Sequence, residues 1–102
     1  MKTKESIRID FDNAMRQAVS ADNCSEELRN VERKLQEVIS ELSGGWKGEA
    51  ASLYLEKCEA LAKKISKSAN DMSRISGTIK KTARIYYETE KAALDIVNQK
   101  SI

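Results

Sequence analysis

The stretch SGGWKGEAASLY, residues 43–54, holds three of the four glycines of this 102-residue chain and its single tryptophan. The chain has no proline, and good helix formers such as Ala, Leu, Glu and Lys dominate the sequence on both sides. Glycine ends helices because it adopts positive φ without strain. The stretch therefore predicts a turn at residues 43–48. Gly44 and Gly45 are expected to end the first helix with positive φ, and Gly48 to help start the second.

The first helix is predicted over about residues 10–42, with Asp10 or Asp12 as its N-cap. Its apolar residues are spaced by three and four, as in a helix that buries one face. Two such runs meet out of phase near residues 21–27, where Cys24 or Ser25 must fill the seam. The second run is a heptad seam of Leu28, Val31, Leu35, Val38 and Leu42.

The second helix is predicted over about residues 49–97, followed by a frayed polar tail at 98–102. Its seam includes Tyr54, Leu61, Ile65, Met72, Ile75 and Ile79. A short turn folds two such helices into an antiparallel hairpin, so residues 1–102 are expected to form one all-α domain. Cys24 and Cys58 are then offset by roughly 12 Å along the axis and stay reduced within one chain.

The apolar stripes are wider than one partner helix can cover. Val19 and Leu53, for example, lie beside the seams rather than in them. A hairpin of this size also has little core of its own. We therefore expect two hairpins to pair into a four-helix bundle.

Composition excludes most other classes of function. The absence of histidine removes the common catalytic triads and the usual zinc sites, and no phosphate-binding glycine loop is present. We expect no enzyme activity, no cofactor and no bound metal. No window is apolar enough for a membrane span, and the N-terminus lacks the apolar core of a signal peptide. Residues 63–84 carry seven Lys and Arg against Asp71 alone. This stretch is interpreted as a solvated helix face, and no nucleic-acid partner is expected.

Two short motifs remain as candidate functional residues. Trp46-Lys47-Gly48 lies in the turn, and Tyr86 and Glu90 are four residues apart near the end of the second helix. Trp is frequent at binding hot spots, and residues four apart share one helical face.

With this architecture, the two motifs resemble the WXG family of small substrates of bacterial type VII secretion systems. The stretches GGWKGEAASLYLEKCEAL and IYYETEKAAL carry the resemblance. It implies synthesis in the bacterial cytoplasm and export as a folded dimer without a cleavable signal peptide. It also implies a composite signal, in which Trp46 and Gly48 of one subunit meet Tyr86 and Glu90 of the other. The resemblance also implies that the secretion ATPase recognises that signal.

Two alternatives remain open from the sequence. The chain could instead be a targeting partner, or export chaperone, that pairs with the helical N-terminal region of a larger secreted toxin. An unrelated cytoplasmic coiled-coil adaptor is the third hypothesis. The partner is accordingly a second copy of the chain or a related helical hairpin.

Overall fold

A computed structural model describes residues 3–100. It contains two helices, α1 (Lys4–Gly45) and α2 (Glu49–Lys100), separated by residues 46–48. The predicted all-α class is confirmed, and the two helices are joined as a hairpin.

Contacts divide the chain into two compact units, which we describe separately. The first unit comprises the described residues of Met1–Ala21 and Arg74–Ile102, and the second is Asp22–Ser73. Each unit contains a segment of both helices. The single domain expected from the sequence stays a prediction.

The first helix begins earlier than predicted because Thr3 caps it. The hydroxyl of Thr3 accepts a hydrogen bond from the Ser6 amide at 3.1 Å, and the Ser6 hydroxyl accepts one from the Thr3 amide at 2.9 Å. This is a reciprocal arrangement of the capping-box type. The Ile7 amide then donates to the Thr3 carbonyl at 3.0 Å. The prediction of an N-cap at Asp10 or Asp12 was wrong, since both lie inside α1.

The turn is shorter than predicted, and the glycine with positive φ is Gly48 rather than Gly44 or Gly45. Gly44 and Gly45 are helical, and the Trp46 amide still donates to the Leu42 carbonyl at 2.8 Å. Among the described residues, only Gly48 has positive φ, at 120°. The expectation of positive φ at Gly44 and Gly45 was wrong, because a helix tolerates glycine at a cost of about 1 kcal/mol relative to Ala.

The second helix begins at Glu49, close to the predicted start. The Gly48 carbonyl accepts a hydrogen bond from the Ser52 amide at 3.0 Å, which closes the first turn of α2. At the other end, residues 98–100 are helical rather than frayed. Residues 101–102 of the predicted tail lie outside the described residues.

The buried face of α1 is one uninterrupted series with steps of four and three. Ser25, rather than Cys24, fills the central position, and Cys24 is exposed. The expected break in phase near residues 21–27 is therefore absent. The positions of this series, each of them buried or half-buried, are Ile7, Phe11, Ala14, Ala18, Ala21, Ser25, Leu28, Glu32, Leu35, Ile39 and Leu42.

Ser25 can occupy a buried position because its hydroxyl has partners within the second unit. It donates to the Ala69 carbonyl at 2.7 Å and shares a hydrogen bond of 2.9 Å with the Ser73 hydroxyl. Buried hydroxyls without partners are costly, whereas this one is satisfied. The core of the same unit is Ile39, Cys58 and Ala62.

The predicted seam matches the hairpin contact only in part. The residues at seam positions that are half-buried are Leu28, Leu35, Leu42, Ile65, Met72 and Ile79. The others are exposed, so their assignment to the hairpin seam was wrong: Val31, Val38, Tyr54, Leu61 and Ile75. Each of these five residues directly precedes a buried or half-buried residue. As contacts to a second chain, they remain a prediction.

The two helices pack against each other through the stripe that lies one residue after these exposed positions, because that stripe consists largely of small residues. On α2 the buried small residues are Ala51, Cys58, Ala62, Ala69, Ser76 and Ala83. The distance between packed helices depends on the side chains at their contact, and small ones allow a close approach. A stripe of small residues has a weak hydrophobic signal, so the larger neighbours mask it in the sequence.

Candidate functional site

The aromatic ring of Trp46 does not stand alone in the turn. It packs against Tyr54 of α2, with 5.5 Å between ring centroids and 59° between the planes. Trp46 is 43% exposed and Tyr54 is 50% exposed. Tilted aromatic pairs of this kind contribute about 1 kcal/mol beyond their buried area. The pair fixes the position of the indole while leaving much of it in solvent.

Tyr54 is part of an exposed apolar surface of the second unit. Val31 and Val38 precede seam residues of α1, and Tyr54 and Leu61 precede seam residues of α2. When two helices pack antiparallel, the residues just before the seam positions of one helix lie on the same side of the pair as the residues just before the seam positions of the other. We call these four residues, together with Trp46, the apolar flank.

The second predicted motif lines a cavity in the first unit. Tyr86 and Glu90 both contribute to its wall, and the cavity has a volume of about 480 Å³. We call it the Tyr86–Glu90 pocket. Its lining is mainly apolar, with two carboxylates: Asp10, Phe11, Ala14, Thr78, Ile79, Thr82, Ala83, Tyr86, Tyr87 and Glu90.

The two adjacent tyrosines have different environments. Tyr87 is half-buried and packs against Phe11, with 5.0 Å between ring centroids. Tyr86 is 64% exposed. The buried positions of α2 reach Ala83 and continue four residues later at Tyr87, not three residues later at Tyr86. This shift turns Tyr86 outwards, which makes it accessible to another molecule.

Glu90 is less exposed than its place in a surface motif suggested. It is half-buried at the wall of the pocket, and it takes part in an interaction with another group of the chain. Its neighbour Glu88 is exposed and does not line the pocket.

A family model described as "WXG100: Proteins of 100 residues with WXG" matches residues 6–91 of the chain. The chain belongs to the WXG100 family. The matched residues include the Trp46-Lys47-Gly48 turn and both Tyr86 and Glu90. No curated protein and no solved structure matches the chain.

WXG100 is the family of small helical substrates of type VII secretion, which are secreted without signal peptides. Its members typically pair with themselves or with related hairpins. In this WXG100 protein, α2 extends nine residues beyond the matched region, from residue 92 to Lys100.

Within residues 3–100, no group of three or more His, Cys, Asp or Glu side chains is placed to hold a metal ion. Neither helix, over the part that the structure describes, has the length and apolar character of a membrane span.

Proposed function

We propose that this WXG100 protein is exported by a type VII secretion system as a folded dimer of two hairpins. In this proposal, Trp46 and Gly48 of one subunit and Tyr86 and Glu90 of the other form a composite export signal. The secretion ATPase reads that signal. The observation that carries the proposal is that one chain has both an exposed aromatic residue in its turn and an apolar pocket beside Tyr86 and Glu90.

The apolar flank supports the dimer. Val31, Val38, Tyr54 and Leu61 are each about half exposed. Fully burying a side chain such as Val or Leu contributes roughly 2 kcal/mol, so each contributes about 1 kcal/mol when covered. Contiguous exposed apolar surfaces of this kind mark interaction sites. A second hairpin in the antiparallel orientation is a suitable cover, because one twofold axis then lets each hairpin cover the apolar flank of the other.

Charge supports an antiparallel arrangement. Residues 37–59, which surround the turn, carry five carboxylates against Lys47 and Lys57, a net charge of −3. A parallel dimer would bring two such ends together, whereas an antiparallel dimer separates them.

The Tyr86–Glu90 pocket is a suitable receptor for the turn of the second subunit. Its volume of about 480 Å³ and its aromatic walls of Phe11 and Tyr87 suit an indole ring. The carboxylates of Asp10 and Glu90 line the same pocket. Tyr86 is exposed and would remain at the edge of the filled pocket, where the secretion ATPase can contact it.

A related hairpin at the head of a larger toxin is the second candidate partner. The observation that favours it is the uneven charge of the chain, since residues 1–45 carry seven Lys and Arg against nine Asp and Glu, a net −2, while residues 46–102 carry eleven against seven, a net +4. Such asymmetry suits a dissimilar partner. The unrelated coiled-coil adaptor is set aside, because the chain belongs to WXG100.

The test compares export from a host with an intact type VII system and from the same host lacking the secretion ATPase. We expect the protein in the medium of the first host alone. Sedimentation equilibrium of the purified chain should show a dimer at micromolar concentration. A folded, stable monomer would overturn self-association. A chain that is unfolded alone but folds with a toxin head would support the second candidate instead.

A further inference from the structure

A second concave surface in the first unit shares only Tyr87 with the Tyr86–Glu90 pocket. It has a volume of about 490 Å³ and lies between the first turns of α1 and the C-terminal part of α2. Its lining residues are Lys4, Glu5, Ile7, Arg8, Tyr87 and Lys91. We call it the Lys4–Lys91 groove.

The rim of the groove is cationic. Lys4 and Arg8 are one turn apart on α1, so they lie side by side, and Lys91 is supplied by α2. All three side chains are exposed. Glu5 is the one carboxylate of the lining, so the lining carries a net charge of +2. The positive end of the α1 dipole adds to this potential, because the groove includes the first turn of that helix.

The floor of the groove is apolar and fixed in place. Ile7 is 4% exposed, so it belongs to the packed face of α1. Tyr87 is half-buried and held by the Phe11 ring at 5.0 Å. A cationic rim around an apolar floor fits a ligand that presents carboxylates beside an apolar side chain.

We propose that the Lys4–Lys91 groove binds an acidic peptide segment of a partner protein. One apolar side chain of the peptide rests on Ile7 and Tyr87, and its carboxylates pair with Lys4, Arg8 and Lys91. Charge complementarity between a net positive groove and an acidic segment carries the proposal. It does not depend on dimerisation, because the groove is separate from both the apolar flank and the remaining residues of the Tyr86–Glu90 pocket.

The shape of the site favours a peptide over an anionic lipid surface. A bilayer is flat on this scale and would leave a concave floor uncovered. It would also bring its phosphates against Glu5. A peptide can enter the concave surface, and its backbone N–H groups can donate hydrogen bonds to the Glu5 carboxylate.

The test measures binding of a short fluorescein-labelled peptide, with several glutamates around one leucine, to the full chain by fluorescence anisotropy. A peptide with each Glu replaced by Gln is the matched ligand control. We expect the glutamate peptide alone to bind, with an affinity that falls as salt rises from about 0.05 M to about 0.3 M. The double variant Arg8→Glu, Lys91→Glu should weaken binding by at least about tenfold, and Arg8→Gln, Lys91→Gln by a smaller factor.

The control variant is Lys63→Glu, Lys67→Glu, which makes the same change in net charge on exposed residues of the second unit. Equal loss of binding in this variant would show general attraction by net charge and would overturn the proposal. So would equal binding of the glutamine peptide. Binding of phosphatidylglycerol vesicles that depends on Arg8 and Lys91, without binding of the peptide, would assign the groove to a membrane surface instead. Circular dichroism checks that each variant is as helical as the unchanged chain.

Discussion

The ring of Trp46 lies against the ring of Tyr54 at a centroid distance of 5.5 Å, although one belongs to the turn and the other to the second helical turn of α2. This contact ties a segment of three non-helical residues to a rigid helix. The indole is thus held in a defined position at the end of the hairpin, as a recognition anchor requires.

Replacing Trp46 by Ala should reduce export and lower the free energy of unfolding by about 1 kcal/mol, because the ring contact with Tyr54 is lost. A loss of that size lowers the melting temperature of a small domain by about 4–8 °C. Trp46→Phe retains a ring and should retain most of the stability. The measurements are secretion from a type VII host and a thermal melt. Normal export of the alanine variant would remove Trp46 from the signal.

Replacing Glu90 by Ala should abolish export and leave dimerisation nearly unchanged. Glu90 is half-buried, so Glu90→Gln is included to keep the size and hydrogen-bonding capacity of the side chain while removing its charge. Glu88→Ala is the control, because Glu88 is exposed and does not line the pocket. We expect both Glu90 variants to remain in the cell and the Glu88 variant to be secreted. If all three are secreted equally, Tyr86 and Glu90 are only a helix-surface pair.

Replacing Val31 by Glu should weaken the dimer by at least about 100-fold, since a charge would then lie in a desolvated contact. Ile9→Glu is a matched control, because Ile9 is 48% exposed and lies outside the apolar flank. Sedimentation equilibrium compares the two variants. Equal dissociation constants would show that the flank is not the dimer contact.

Two buried serines should respond in opposite ways to replacement by Ala. The Ser76 hydroxyl is buried and, among the described residues, has no hydrogen-bond partner, whereas the Ser25 hydroxyl has two. Ser76→Ala should therefore raise the free energy of unfolding by about 1 kcal/mol, and Ser25→Ala should lower it by a similar amount. Both changes gain the same helix propensity, so the difference between them reports the hydrogen bonds of Ser25. Urea denaturation measures both, and a lower stability of Ser76→Ala would contradict the argument.

The sequence predicted the fold class and the start of α2 because both depend on strong local signals. In a chain without proline, three of the four glycines lie within residues 44–48, so the strongest turn signal is there. The start of α1 was placed too late because Thr3 and Ser6 form a cap from two hydroxyls, a weaker signal than an Asp beside an aromatic residue. Gly44 and Gly45 were misassigned because glycine is permitted in positive φ but does not require it.

The seam was displaced by one residue on parts of both helices for a physical reason. Large residues such as Val31 and Leu61 give the stronger heptad pattern, yet the hairpin packs through the smaller Ala62 and Ala69. Sequence periodicity identifies an apolar stripe but does not say which of two adjacent stripes faces the partner helix and which faces another chain. The same ambiguity hid the contact between Tyr54 and Trp46, because Tyr54 was assigned to the interior.

The unbroken steps of four and three from Ile7 to Leu42 restrict how the length of this molecule can change. Removing one residue from α1 would rotate everything beyond it by about 100° and exchange the buried stripe for a solvated one. Adding or removing seven residues keeps the buried stripe of α1 on the same face. To keep the two helices matched in length, α2 must then gain or lose seven residues opposite the change in α1. Such a chain varies in size by paired heptads rather than by single residues, so a tolerated insertion outside the turn is expected to come in two matched parts.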